Sequence, residues 1–165
     1  MIKLDNTDRQ ILSILQENGR ITNAQLAAEV GLAPTTVLER VRKMERNGVI
    51  QKYVALLDPE KVNRAVTVFV SITLGVHAYS SIDAFLHEVE NIREVMACYH
   101  VAGDADFLLK VCVKDIQTYE DLLLAKLTQI NGIQKIHSTF VLSTKKNETR
   151  FYLPSPEQNS SSDST

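Results

Sequence analysis

"TNAQLAAEVGLAPTTVLERVRKMERNG" (Thr22–Gly48) is punctuated as two short helices with a tight turn between them. Thr22 followed three residues later by Gln25 is a capping-box pair that opens a helix. Gly31 supplies a residue able to close it in the left-handed conformation. Pro34 suits the first turn of the next helix, and Gly48 follows that helix's end. Leu26, Ala27 and Val30 form the inner face of the first helix, and Val37, Val41 and Met44 that of the second. Ala27 is small enough for close helix contact, and Leu32 packs beneath the turn. The expected unit is a helix-turn-helix.

With those faces buried, Thr35, Thr36, Glu39, Arg40, Arg42, Lys43 and Arg46 point outward. From Pro34 to Lys52 there are five basic residues and two acids, a local charge of +3. A helix of this kind enters the major groove with its first turns, Pro34, Thr35 and Thr36, against base edges and its arginines against phosphates, Asn23 of the preceding helix lying alongside. Arg40 has a second option, a guanine edge. The plainer alternative is a solvated face pairing Glu39 with Lys43, worth a few tenths of a kcal/mol.

Upstream, Asp5 caps an earlier helix, with Asp8 at its third position. Ile11, Leu12 and Leu15 share one face, and Gly19 ends it. Downstream the period changes from helical to alternating. Ile50–Asp58 reads as a strand followed by a turn at Asp58-Pro59. From Val66 the order is strand, helix, strand, strand, helix, strand, the ferredoxin-like βαββαβ arrangement. Its strands are Val66–Leu74, Val95–Val101, Phe107–Val113 and Ile133–Ser143. Ser80 with Asp83, and Thr118 with Asp121, are the expected helix caps. Four segments follow: residues 1–49, a helix-turn-helix; 50–65, a linker strand and turn; 66–153, a ferredoxin-like effector-binding and oligomerisation domain; 154–165, a polar, serine-rich tail expected to be disordered. The fold class is α+β.

The totals agree. Hydrophobic residues make up 44% of 165, enough for packed cores. The net charge of −2 excludes a wholly basic protein but not a local basic face. Cys98 and Cys112 form no Cys-x-x-Cys and fit a reducing compartment. The charged start "MIKLDNTDRQ" lacks an apolar signal core, and no stretch is long enough to span a bilayer. A soluble, cytoplasmic protein is expected. His77 and His87 read as loop and helix-surface residues. No nucleophile elbow, His-Glu-x-x-His, phosphate-binding glycine loop or Cys/His pair is present, so no catalytic residue is assigned and an enzyme is not expected.

Alternation assigns Val66, Val68, Val70, Ile72, Val95, Ala97, Tyr99, Leu109 and Val111 to the helix-covered face of the sheet. The other face carries Phe69, Met96, Cys98, Leu108, Cys112, His137 and Val141 among Thr67, Ser71 and Thr73. That mixture suits a second copy related by a two-fold.

One motif interrupts the strands. "VAGDADFLLKV" (Val101–Val111) places Gly103, Asp104 and Asp106 in what is first a hairpin turn. A metal held by His100, Asp104 and Asp106 would lack ligands of either the hard or the soft kind. An α-amino acid fits better. Its ammonium pairs with Asp104 or Asp106, and its carboxylate meets the turn amides around Gly103.

The stretch "LDNTDRQILSILQENGRITNAQLAAEVGLAPTTVLERVRKMERNGVI", with "YHVAGDADFLLKV" and "GIQKIHSTFVL", resembles the leucine-responsive regulator/asparagine regulator (Lrp/AsnC, feast/famine) family of prokaryotic transcription factors over nearly all but the tail. The resemblance implies a winged-type DNA-binding domain and a RAM, ACT-like regulatory domain. It implies dimers formed through the sheets and rings of dimers, such as an octamer. It implies an amino-acid effector, but no cofactor, at His100, Val101, Ala102, Gly103, Asp104, Asp106, Ser138 and Thr139, completed by a neighbouring dimer. One departure is visible: Ala33 stands where the family usually has Ser before the proline, which weakens the cap by about 0.5–2 kcal/mol. The expected function is an effector-modulated, sequence-specific regulator on double-stranded DNA. The alternatives are a ligand-independent, nucleoid-type architectural protein and a protein-binding module.

Overall fold

A computed structural model describes residues 3–75 and 79–154, with the backbone alone at 79–81. His77, the Ser80 side chain and the tail from residue 155 therefore lie outside the described residues. The chain forms two compact units. One joins the residues up to Leu56 with those from Lys146 onward; the other is Leu57–Lys145.

The first unit contains α1 (Asn6–Glu17), α2 (Asn23–Val30) and α3 (Pro34–Arg46). Local signals set each boundary. Asp5 and Asp8 close a reciprocal capping box on α1, as do Thr22 and Gln25 on α2. Gly31 ends α2 at φ 68°, a conformation a Cβ would strain. Helix α1 stops at Glu17 with Asn18 as its C-cap, one residue before the expected Gly19. Ile11, Leu12, Leu26, Ala27, Val37, Val41 and Met44 form the core, with Leu153 packed against it from the far end of the sequence.

That last contact was not expected. The segment around Phe151 returns to α1 and is held there by a two-way pair. The Phe151 amide donates to Gln16 Oε1 at 2.7 Å, and Gln16 Nε2 donates to the Phe151 carbonyl at 3.1 Å. Arg150 adds an ion pair to Glu17 at 2.7 Å. The expected boundary at 153 placed these residues with the sheet, but their contacts are with α1.

The expected linker strand also differs. Residues 51–58 have no strand partner among the described residues. Tyr53, Val54, Leu56 and Leu57 stay exposed, because one extended segment cannot form a ladder alone. The turn at Asp58-Pro59 is present, with the Arg64 amide donating to the Pro59 carbonyl.

The second unit is an antiparallel sheet in the order β2-β3-β1-β4, with β1 (Val66–Leu74), β2 (Val95–His100), β3 (Phe107–Val113) and β4 (Ile133–Phe140). Helices α4 (Tyr79–Glu90) and α5 (Ile116–Ala125), with a 3-10 turn at Leu127–Gln129, complete βαββαβ. Val68, Val70, Ile72, Phe107, Leu109 and Val111 bury against Phe85, Val89, Tyr119 and Leu122 of the helices.

Two expectations are corrected here. The β2–β3 register shifts between Val95 and Ala97. The bulge reverses the alternation. Cys98 therefore packs against the core, where burial raises its thiol pKa. Tyr99, expected inside, is 52% exposed. Helix α5 is capped by Asp115, not Thr118. Asp115 Oδ1 accepts from the Thr118 amide at 2.8 Å and the Thr118 hydroxyl at 2.6 Å. Those donors, led by the hydroxyl, hold its carboxyl below the usual range. Among the described residues no helix is long and apolar enough to cross a membrane.

Candidate DNA-reading helix and effector hairpin

Helix α3 turns Val37, Val41 and Met44 into the core. That leaves Pro34, Thr35, Thr36, Glu39, Arg42, Lys43 and Arg46 exposed, and Asn23 is exposed at the start of α2. Pro34 occupies the first turn, and Ala33 makes no side-chain capping bond. The amides of the first turn are thus free of a protein side chain at the end that would meet DNA. At the other end Asn47 Nδ2 caps the Lys43 carbonyl at 2.7 Å, and Gly48 leaves the helix at φ 70°. Lys43 and Arg46 lie in the last turn, where cations complement the helix dipole.

Arg40 departs from the outward set. Its Nη1 donates to Asp5 Oδ2 and to Asp8 Oδ1, both at 2.7 Å, and its side chain is 32% exposed. The Asp8 amide, and then Arg40, hold the Asp5 carboxyl below its usual range, and the two acids raise the guanidinium pKa. The guanine-edge option for Arg40 is therefore set against an internal network. Sequence reading used Asp5 and Asp8 for capping alone; two acids in one first turn were the only local signal that a cation was also required.

The hairpin between β2 and β3 is closed by the Val101 amide donating to the Asp106 carbonyl at 2.9 Å. Gly103 sits at φ 143°, with open space where a Cβ would be. A side chain would fit there sterically but not conformationally. Ala102, Gly103 and Asp104 are exposed; Val101 and Asp106 are half-buried. The loop leans on the end of β1. The Asp106 amide donates to the Ile72 carbonyl at 2.9 Å, and Asp106 Oδ2 accepts from the Leu74 amide at 2.7 Å. One of the two acids is thus already half used in tying the hairpin to β1. Asp104 is the freer carboxylate, and Thr73 Oγ reaches its carbonyl at 3.4 Å.

The remaining candidates are spread over the sheet. His100 stacks on Phe107 with ring centroids 5.1 Å apart. Ser138 pairs with Val70, two positions along β1 from Ile72, and its hydroxyl bonds to that of Tyr119. Burial raises the Tyr119 pKa, against the opposing pull of Ser138. Thr139 follows Ser138 and so faces the opposite side of the sheet. The structure therefore gathers Val101 to Asp106 into one loop but does not bring Ser138 or Thr139 to it. Among the described residues no group of three or more His, Cys, Asp or Glu could hold a metal ion.

Two family models match the chain. A winged helix-turn-helix DNA-binding model covers residues 4–51, and an Lrp/AsnC ligand-binding-domain model covers residues 67–151. The leucine-responsive regulatory protein of Escherichia coli K12 is 41% identical over 150 residues, which is 91% of this chain and 92% of that protein. A transcriptional regulator of Neisseria meningitidis, solved as a complex with L-Met, superposes with a TM-score of 0.87 at 35% identity, over 91% of this chain and 97% of that one. An AsnC-family regulator from Agrobacterium tumefaciens gives a TM-score of 0.86 at 41% identity, over 90% and 97% respectively.

Proposed function

The chain belongs to the Lrp/AsnC family of DNA-binding transcriptional regulators, a family without enzymatic activity, and from that premise we propose how its two units divide the work. Helix α3 docks in the major groove of double-stranded DNA. Thr35 and Thr36 meet base edges, with Asn23, Pro34 and Glu39 around them, and Arg42, Lys43 and Arg46 meet phosphates. The observation that carries this reading is the split of α3 into a buried Val37–Val41–Met44 stripe and an exposed face whose only cations lie from Arg42 onward.

The effector is an amino acid held at the β2–β3 hairpin. Asp104 pairs with its ammonium, and the amides beside Gly103 receive its carboxylate. The Neisseria relative, solved with L-Met, supports the ligand class. Ser138 and Thr139 contribute only if a neighbouring dimer closes the site over them. Two copies pair through the outer sheet face, where Met96 and Tyr99 are exposed, and dimers assemble into an octamer or similar ring in the cytoplasm. The effector then acts by binding one assembly more tightly than another.

The test is fluorescence anisotropy on a duplex enriched by the protein from a random-sequence pool. Arg42→Ala should weaken all duplexes alike and lower the salt slope by about one, whereas Thr36→Ala should change base preference. Calorimetry with L-methionine, L-leucine and L-asparagine should show saturable binding that Asp104→Ala abolishes. No heat with any of the twenty amino acids would leave a ligand-independent DNA-binding protein.

A further inference from the structure

We propose that Arg40 is a positioning residue: it locks the recognition helix to the capping box of α1 and does not touch the duplex. This rests on the reading that α3 docks on DNA, and it deepens that reading. In sequence Arg40 stands among the outward cations of α3. In the structure it completes a four-oxygen network. Asp5 Oδ1 accepts from the Asp8 amide at 2.7 Å, and Asp8 Oδ2 accepts from the Asp5 amide at 3.2 Å. The other oxygen of each acid takes Arg40 Nη1, at 2.7 Å in both cases. Every carboxylate oxygen of the box is thus used, two by the backbone of α1 and two by α3.

That arrangement has consequences for how the helix is held. The capping box holds both carboxylates by backbone amides, so the guanidinium meets acceptors whose direction is already set by α1. The Asp8 side chain is only 14% exposed. Swinging Arg40 toward a phosphate would leave that half-buried charge unpaired, a change charge networks resist. Arg40 is the seventh of the thirteen residues of α3. A lock at mid-helix opposes rotation of α3 about its own axis, and the aim of Thr35 and Thr36 at a base edge depends on that rotation. Helix α3 also lacks a side-chain N-cap at Ala33, so its N-terminal half has no local fixation of that kind. The lock across 32 and 35 residues of sequence supplies one.

The experiment uses the full chain, the enriched duplex and a scrambled duplex, with anisotropy titrations over a range of salt. Wild type is compared with Arg40→Ala, Arg40→Lys, Asp5→Asn/Asp8→Asn, the triple variant and Arg42→Ala, each below its own melting temperature. Arg40→Ala should bind the enriched duplex roughly tenfold more weakly, change little on the scrambled duplex and keep the wild-type salt slope. The double Asn variant should weaken binding in the same way, the triple variant should be no worse than Arg40→Ala, and Arg40→Lys should recover part of the loss. The inference is overturned if Arg40→Ala lowers the salt slope by about one, or if removing the two acids tightens binding, as it must when Arg40 is a phosphate contact that they neutralise. A lowered melting temperature with unchanged affinity overturns it too, since the lock would then only stabilise. Arg42→Ala separates the readings: if it has no effect on either duplex, the docking of α3 itself fails.

Discussion

Among the described residues, fifteen buried apolar side chains centred on Phe85, Leu109 and Val111 hold the sheet unit, against seven in the helical unit. The smaller core leaves the helical unit dependent on polar devices: two capping boxes, the Arg40 network and the returning segment at Phe151. The sheet unit has polar contacts too, at the Asp115 cap, the Asp106 tie, the Tyr119–Ser138 bond and the Lys126–Glu94 ion pair, but beside a core of about twice as many buried residues. The difference suits the proposed division of labour. A reader of base edges needs a surface set by directional contacts, whereas an assembly platform needs a rigid slab.

The largest effect should come from cutting the larger core. Phe85 is fully buried and packs on Phe107 with centroids 4.8 Å apart. Phe85→Ala should cost the sheet unit about 3–5 kcal/mol. Hydrogen exchange should show lost protection in β1 and β3, with α1 and α2 spared. Equal loss in α1 would break the comparison, because the two units would then unfold as one.

A smaller effect should appear in the opposite place. Ending the chain after Lys146 removes the Gln16–Phe151 pair and the packing of Leu153 on the helical core. Two hydrogen bonds and one partly buried leucine suggest about 2–3 kcal/mol. The loss should fall on α1 exchange and leave β1 unchanged. Gln16→Ala in the full chain should reproduce about 1 kcal/mol of it. If truncation leaves α1 protection intact, the returning segment is only resting on the helix.

What was legible in the sequence follows the range of the interaction. Caps and turns act over three or four residues, so Asp5–Asp8, Thr22–Gln25, Gly31 and Pro34 could be read directly. The βαββαβ order followed from the change of period. Alternation then misassigned Tyr99 and Cys98, because a single bulge after Val95 shifts every later side chain to the other face. The cap at α5 was misplaced by three residues because Asp115, Thr118 and Asp121 are all good cap formers. The site was less legible than the fold. Gly103 and Asp104 emerge as an open loop, but the partners of Asp106, Ser138 and Arg40 lie 19 to 35 residues away. No local pattern shows that such a group is already engaged. The return of Phe151 to Gln16, 135 residues apart, lies still further outside what periodicity can show.

Acid gives the finest cut between the two units. The Glu148 carboxylate is lowered from 4.5 to about 2, first by the side-chain hydrogen bond from Arg150 and then by the Arg150 amide. Its pKa is depressed in the folded state, so the contact is fully present above pH 4.5 and is lost as pH falls toward 2. Arg150 also pairs with Glu17 at 2.7 Å, so protonating Glu148 frees one side of the guanidinium. The group is exposed, and salt screens what remains. The expected result is a small loosening confined to the returning segment, visible as faster exchange of the Phe151 amide between pH 4.5 and 2 with the β1 amides following only the intrinsic rate. Glu148→Gln should place the segment in that state at neutral pH. If the Phe151 amide keeps full protection in Glu148→Gln, the Glu148 side of the arginine bridge adds nothing to the hold on this segment.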